Sequence, residues 1–188
     1  MEVQVPEQSS NDRLNNMVAI SVAVLSGFMA VTKVKDDNVV QAMLQAKNDA
    51  MDTWNEYQSK KIKHHLDDLG IIQLQALKMS GANAEQLNAK VAQLQADVER
   101  YKGEEKSLLE KAKTMEAQYD ALNVHDDQFD MSDATLSLSL TILAAVALTR
   151  KRVLLYLAWT FGIFGIITGL AGLLGWGFHP DWLAKLLT

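Results

Sequence analysis

Three apolar stretches interrupt an otherwise polar chain. The first, LNNMVAISVAVLSGFMAVT (Leu14–Thr32), lies between Arg13 and Lys33 and carries no charge. The second, ATLSLSLTILAAVALT (Ala134–Thr149), follows Asp133. The third, VLLYLAWTFGIFGIITGLAGLLGWGF (Val153–Phe178), follows Arg152. A helix needs about 20 mainly apolar residues to cross a hydrocarbon layer, and the first and third runs reach that length. The second is short, but Ser132 is placed to cap it and its flanking residues can reach the interface. The pattern predicts three membrane-spanning helices over 14–35, 134–149 and 153–178. The alternative is two spans, with 134–149 buried inside a bundle.

Between the first two runs the pattern changes to a heptad repeat. Leu87, Val91, Leu94, Val98, Tyr101, Glu105, Leu108, Ala112, Met115, Tyr119 and Leu122 follow in alternating steps of four and three, the seam of a coiled coil. The preceding half is less regular. Val39, Met43, Ala46, Ala50, Trp54 and Tyr57 are followed by a slip to Ile62, Leu66 and Leu69, with Ile72, Ala76 and Met79 beyond. The segment SGANAE (Ser80–Glu85) supplies Gly81 to stop one helix and Asn83 to cap the next. The prolines, Pro6 and Pro180, flank this whole region, so the strongest helix breaker is missing from it. These features predict an all-α membrane protein whose residues 36–133 form an antiparallel coiled-coil hairpin, turning near 80–85. Each arm is about 40 residues, or about 60 Å at 1.5 Å per residue. A polar tail (1–13) precedes it. An interfacial amphipathic segment (179–188, with Trp182, Leu183, Leu186 and Leu187 on one side) follows, near the aromatic Trp176 and Phe178.

Charge orients this arrangement. The cluster Arg150-Lys151-Arg152 joins the second and third runs, and positive charge in so short a loop stays cytoplasmic. The N-terminus is then expected inside, with the hairpin and C-terminus outside. Lys33 and Lys35 oppose this, offset by Asp36, Asp37 and the acidic HDDQFDMSD before the second run. The first run has an acidic flank and exceeds a signal-peptide core, so it is expected to be a retained anchor. The net charge of −5 argues against a nucleic-acid binder. The absence of cysteine excludes disulfides, thiolate catalysis and cysteine-ligated metals.

Small residues recur at steps of three and four in each run. They are Ala19, Ala23, Ser26 and Ala30 in the first, and Ala134, Ser137, Thr141 and Ala144 in the second. The third carries Ala158, Gly162, Gly165, Gly169 and Gly172. Glycine is unfavourable in a helix, and in lipid its usual role is close helix approach, within one chain or between copies. No Asp, Glu, Lys, Arg or His lies inside a run, which argues against proton relays and carriers of charged substrates.

The most unusual segment is DTWNEYQSKKIKHHL (Asp52–Leu66). Trp54, Tyr57, Lys61 and His64 share one helical face. With the turn near Ala82, Lys61 comes level with Gly103 and Glu105, and His64 with Tyr101. Glu105 is the charged member of the opposite seam, so a register-setting Lys61–Glu105 pair is expected. His64-His65 is no metal motif, because adjacent helical residues diverge by about 100°. Lys60, Lys61 and Lys63 are offset by Glu56, Asp67 and Asp68, as on an ordinary solvated face. The acidic run Asp126, Asp127, Asp130, with Asp133, Asp36 and Asp37, is the nearest thing to a Ca²⁺ or Mg²⁺ set. It lacks the alternating loop of an EF-hand and is expected to be a solvated collar pairing with Lys33 and Lys35. No cofactor motif, phosphate loop or nucleophilic triad is present.

Three of these stretches carry a resemblance. VAISVAVLSGFMAVTKVKDDN, the pattern W-x-x-Y-Q-[AS]-K-x-I-K (Trp54, Tyr57, Gln58, Ser59, Lys60, Ile62, Lys63) and LTRKRVLLYLAWTFGIFG resemble a bacterial inner-membrane family known only as a domain of unknown function. The likeness spans most of the chain and implies a bacterial inner-membrane location. It brings no activity or catalytic residue with it, and His64-His65 and the acidic collar depart from its pattern. The expectation is a non-enzymatic, homo-oligomeric scaffold or accessory subunit in contact with membrane lipids. It would bind itself or another membrane protein through the hairpin, without nucleic acid, cofactor or metal. The alternatives are an oligomeric pore lined by Ser137, Ser139 and Thr141, and a divalent-cation-responsive membrane protein.

Overall fold

The computed structural model describes residues 10–80 and 84–177. Among them are three helices: α1 (Ser10–Met79), α2 (Ala84–Thr149) and α3 (Arg152–Leu174). The protein is all-helical, and α1 and α2 pack together. Each helix contains a stretch long and apolar enough to cross a membrane. In both long helices that stretch continues into polar sequence without a break, since nothing between Pro6 and Pro180 forces one. Ser132 therefore caps nothing. It lies inside α2, and its hydroxyl donates to the Gly165 carbonyl at 2.8 Å. The expected turn residues Gly81 and Asn83 and the tail 179–188 lie outside the described residues.

The chain divides into two compact units. One comprises Met1–Ala42 with Ala121–Thr188, and its core joins all three helices. Leu14, Val18 and Leu25 of α1 meet Leu136, Leu143 and Val146 of α2 and Leu155 and Ala158 of α3. The glycine-bearing face of α3 lies in this core, and Ala158, Gly162, Gly165, Gly169 and Gly172 are all buried. Their missing side chains admit neighbours from the same chain. An added Cβ would stand 2.7 Å from Thr135 Oγ1 at Gly165, 2.7 Å from Phe28 Cε1 at Gly169 and 2.8 Å from the Phe129 ring at Gly172. Several polar groups inside this core are paired, as burial favours. Ser139 Oγ donates to the Ala158 carbonyl (2.7 Å), Trp159 Nε1 to Ser21 Oγ (2.9 Å) and Gln128 Nε2 to the Trp176 carbonyl (2.8 Å).

The small-residue rows of the other two helices face elsewhere. Ala19, Ala23, Ser26 and Ala30 are exposed, as are Ala134, Thr141 and Ala144, while Ser137 is half-buried. The packed face of α1 is instead Leu14, Val18, Leu25, Thr32 and Asp36, and that of α2 is Ser132, Leu136, Ser139, Leu143 and Val146. Four glycines and two serine-to-carbonyl bonds bring α2 and α3 together. The side chains that the glycines admit are Leu25 and Phe28 of α1 and Phe129, Ser132, Thr135, Leu136 and Ser139 of α2. Arg150 takes a left-handed conformation (φ 56°) in the short connection to α3, and Gly175 (φ 68°) ends α3.

The other unit is Met43–Asp120, an antiparallel pair of helical arms. The α2 arm keeps its expected seam: Val98 and Ala112 are buried, and the other seam members from Leu87 to Tyr119 are half-buried. On α1 the covered positions include Met43, Ala46, Ala50, Thr53, Trp54, Tyr57, Lys60, His64, Gly70, Ile71 and Leu74. Ile62, Leu66, Leu69, Ile72, Ala76 and Met79, expected in the same seam, are exposed.

Candidate interaction site on the hairpin

The aromatic and basic segment of α1 makes polar contacts to α2 in the second unit. Trp54 is half-buried, lies edge-on to Tyr57 (ring centroids 5.5 Å apart, 86°), and donates from Nε1 to Glu116 Oε1 at 2.7 Å. Beside it, Thr53 Oγ1 donates to the Asp49 carbonyl (2.7 Å) and touches Met115 Sδ (3.5 Å). Lys47, Met51, Trp54, Glu116 and Tyr119 line a shallow cleft of about 420 Å³, and the Lys47 ammonium stands 5.8 Å from the Tyr119 ring centre.

The expected Lys61–Glu105 pair does not form. Glu105 Oε1 meets His64 Nδ1 at 2.9 Å, and His64 Nε2 lies 3.3 Å from Asp68 Oδ2. Lys61 is exposed and turns back over the Tyr57 ring. The lysine that reaches α2 is Lys60, which pairs with Glu104 and holds that carboxyl below the usual range. The physical reason is facing: Lys60 and His64, four residues apart, lie on the half-buried side toward α2, whereas Lys61 is turned about 100° from Lys60 and is exposed. His65 is exposed and stacks on His64 (5.5 Å, 12°), so the adjacent imidazoles do not converge. Glu116, Glu104, Asp68 and Tyr119 complete this layer. Of these, sequence reasoning placed only Tyr119 in the seam, because the other three flank it, and flanking positions of a helix pair bond across its edge.

The same stretch of α1 presents a second face. Leu44, Met51, Ile62, Leu66, Leu69 and Ile72 are each between 54% and 61% exposed, although all are large and apolar. At 100° per residue, Leu44, Met51, Ile62, Leu66 and Leu69 cluster within about 40° of one line, opposite the face that α2 covers. None of the exposed large apolar side chains among the described residues lies on α2 between Ala84 and Ser137. The bare stripe belongs to one arm.

In the first unit, the acidic collar is built on Asp36. This residue is 3% exposed, and its Oδ2 accepts from Lys33 Nζ at 2.8 Å. Lys33 also approaches Asp37 (3.8 Å), so the lysine pairs along its own helix, and Lys35 is exposed. Asp126 and Asp127 of α2 are half-buried and Asp130 is exposed; Asp127 accepts from Asn123 Nδ2 at 3.3 Å. Burial, then the neighbouring charges of Asp130, Asp36 and Asp127, push the Asp126 carboxyl up to about 6. Burial and Asp36 raise Asp130 as well, against the pull of Lys33. Among the described residues, no three His, Asp or Glu side chains are set to hold a metal ion. Of the hydroxyls considered for a lumen, Ser139 is bonded inside the core, and Thr141 donates to the Ser137 carbonyl of its own helix (2.9 Å).

Comparison with curated proteins and with solved structures finds no match to this chain. A family described as a domain of unknown function, DUF4337, matches over residues 14–175, which takes in nearly all of α1, all of α2 and α3, and every side chain described above. With most of its length inside that match, the chain belongs to the DUF4337 family.

Proposed function

We propose that this protein is a non-enzymatic scaffold or accessory subunit, anchored in a bacterial inner membrane by three spans, that self-associates through its coiled-coil hairpin. The observation that carries the reading is the bare apolar stripe on α1. Five side chains on one line leave on the order of 500 Å² of apolar surface exposed, at about 100 Å² each. A typical monomer patch is a few hundred Å², and a stable interface buries about 800 Å² per partner. With its polar flanks, the stripe approaches what a dimer needs.

The occupant is a second copy of the same arm. Hairpins rooted in one membrane with the same orientation lie parallel, and a stripe facing its own copy across a two-fold axis is self-complementary. Arg150, Lys151 and Arg152 in the connection between α2 and α3 favour a cytoplasmic position there, and hence a periplasmic hairpin.

The test is the oligomeric mass of the chain in native nanodiscs, wild type against Leu66→Lys/Leu69→Lys. Both residues are exposed, so the pair of substitutions leaves the hairpin within about 0.5 kcal/mol of its stability. A wild-type oligomer that the double variant dissolves is the expected result. A monomeric wild type, or crosslinks from position 66 only to a different polypeptide, would overturn it.

A further inference from the structure

The collar contains an unmet hydrogen-bonding need. Asp36 Oδ2 is held by Lys33, but Oδ1 of the same carboxylate is buried without a hydrogen-bond partner. A buried acceptor lacking a donor is unfavourable, and natural structures rarely leave one in place. No lysine, arginine or histidine from α2 answers it. The charged groups that act on this place from α2 are Asp126, Asp127, Asp130 and Asp133. From α1 they are Lys33 and Asp37. The α3 segment between Val153 and Leu174 has Tyr156 as its one ionisable side chain, near the opposite end of that helix. His125 is engaged with Gln128 Oε1 at 3.1 Å. From α2 the Asp126 carboxyl reaches Asp36 within hydrogen-bonding range, and it can donate only in its protonated form.

We propose that Asp126 and Asp36 hold one proton between them, Asp126 donating it to the buried Oδ1 of Asp36, so that α1 and α2 are clasped here by a proton-binding site. The proton comes from solvent and resides on the half-buried Asp126 carboxyl, while Asp36 Oδ2 keeps its bond from Lys33. Two like charges brought together and partly desolvated favour this arrangement, because one of them is better off neutral. The raised affinity of Asp126 agrees with it, about a hundredfold above an ordinary aspartate. A proton also suits the place better than a divalent cation, since no three ligands there are arranged for a metal.

The sign follows from linkage. A carboxyl whose folded affinity for the proton is raised stabilises the native state fully at low pH, and that contribution is lost as the pH rises through about 6. The test is infrared titration of the protonated-carboxyl band on the full chain in nanodiscs. A component titrating near pH 6 is expected in the wild type. Asp126→Asn should abolish it while its amide donates to Oδ1 permanently, removing the loss of stability between about pH 4 and 6. Asp36→Asn should return the remaining carboxyl about tenfold or more toward the ordinary range. A wild-type band that titrates only in the ordinary carboxylate range, or one near pH 6 that persists in Asp126→Asn, would overturn the proposal. Should Asp126→Asn fail to fold, the wild-type and Asp36→Asn titrations decide it.

Discussion

Replacing Gly165 with alanine tests whether the glycine row of α3 is a packing surface within the chain. The new methyl would lie 2.7 Å from Thr135 Oγ1 and 2.8 and 3.0 Å from Leu136 Cγ and Cδ2. Favourable carbon contacts begin near 3.5 Å, so it intrudes by about 0.7 Å. Neither neighbour yields readily. Leu136 is fully buried, and Thr135 Oγ1 is bonded to the Met131 carbonyl at 2.8 Å. Relief requires α2 and α3 to separate, which stretches the Ser132–Gly165 and Ser139–Ala158 bonds. Overpacking costs about 1–3 kcal/mol, and weakening the two bonds adds about 0.5–1.5 kcal/mol each at most. Against this, alanine gains about 1 kcal/mol over glycine in helix propensity. The net expectation is a loss of about 2 kcal/mol.

Gly103 is the matched control. Nothing lies within 4 Å of its added Cβ, so Gly103→Ala should stabilise by up to about 1 kcal/mol. The same chemical change therefore has opposite signs at the two positions. Reversible unfolding in SDS, followed by tryptophan fluorescence for Gly165→Ala and by helicity for Gly103→Ala, reads both. If Gly165→Ala matched or exceeded the wild type while Gly103→Ala behaved as expected, the close approach of α3 to α2 would be refuted. An unchanged midpoint with a shift in oligomeric mass would instead assign the row to contacts between copies.

Two further expectations concern register and orientation. Exchanging charges at Lys60 and Glu104 should restore the amide-exchange protection that either single reversal reduces, a small effect for a solvent-screened pair. The corresponding exchange of Lys61 and Glu105 should restore nothing, because Glu105 meets His64; rescue there would mean that Lys61 rather than His64 reaches Glu105. Since the chain has no cysteine, Met79→Cys and Leu148→Cys each introduce a unique label at an exposed site. In intact cells an impermeant maleimide should reach position 79 and miss position 148, and the reverse pattern would invert the topology.

Apolar length and the 4-3 repeat made the helices, the antiparallel arms and the α2 seam legible without coordinates, because each is a local property of one helix. Facing was not legible in the same way. The rows of small residues in the first and second apolar runs are as regular as the glycines of α3, yet only the glycines are buried. Alanine and serine fit either environment at little cost, whereas a glycine loses about 1 kcal/mol in a helix interior unless close contact compensates. Four glycines at one face therefore carry information that four alanines do not. Ser132 misled for a related reason. A serine before an apolar run suits a cap, but its hydroxyl serves as well for a carbonyl on a neighbouring helix, and a chain without a breaker gives that second use.

The slip in the first arm has a more consequential explanation. From Tyr57 to Ile62 the step is five residues, which turns the helix through about 500°, or about 140° beyond a full turn. Taken as one seam, that is a defect in a coiled coil. Taken as geometry, it moves the apolar stripe to the other side of the helix, where Ile62, Leu66 and Leu69 are found exposed. Leu44 and Met51 then lie on the same line upstream, in positions the single-seam reading passed over. The covered face meanwhile continues through Lys60, His64, Ile71 and Leu74, which met no apolar rule because two of them are charged or polar and bond to α2. An arm that needed only α2 would have no reason to keep large apolar side chains on its far side, where each leaves surface in water at about 25 cal/mol per Å². Two stripes on one helix suit two neighbours: α2 covers one, and the other is the surface on which the proposed self-association rests.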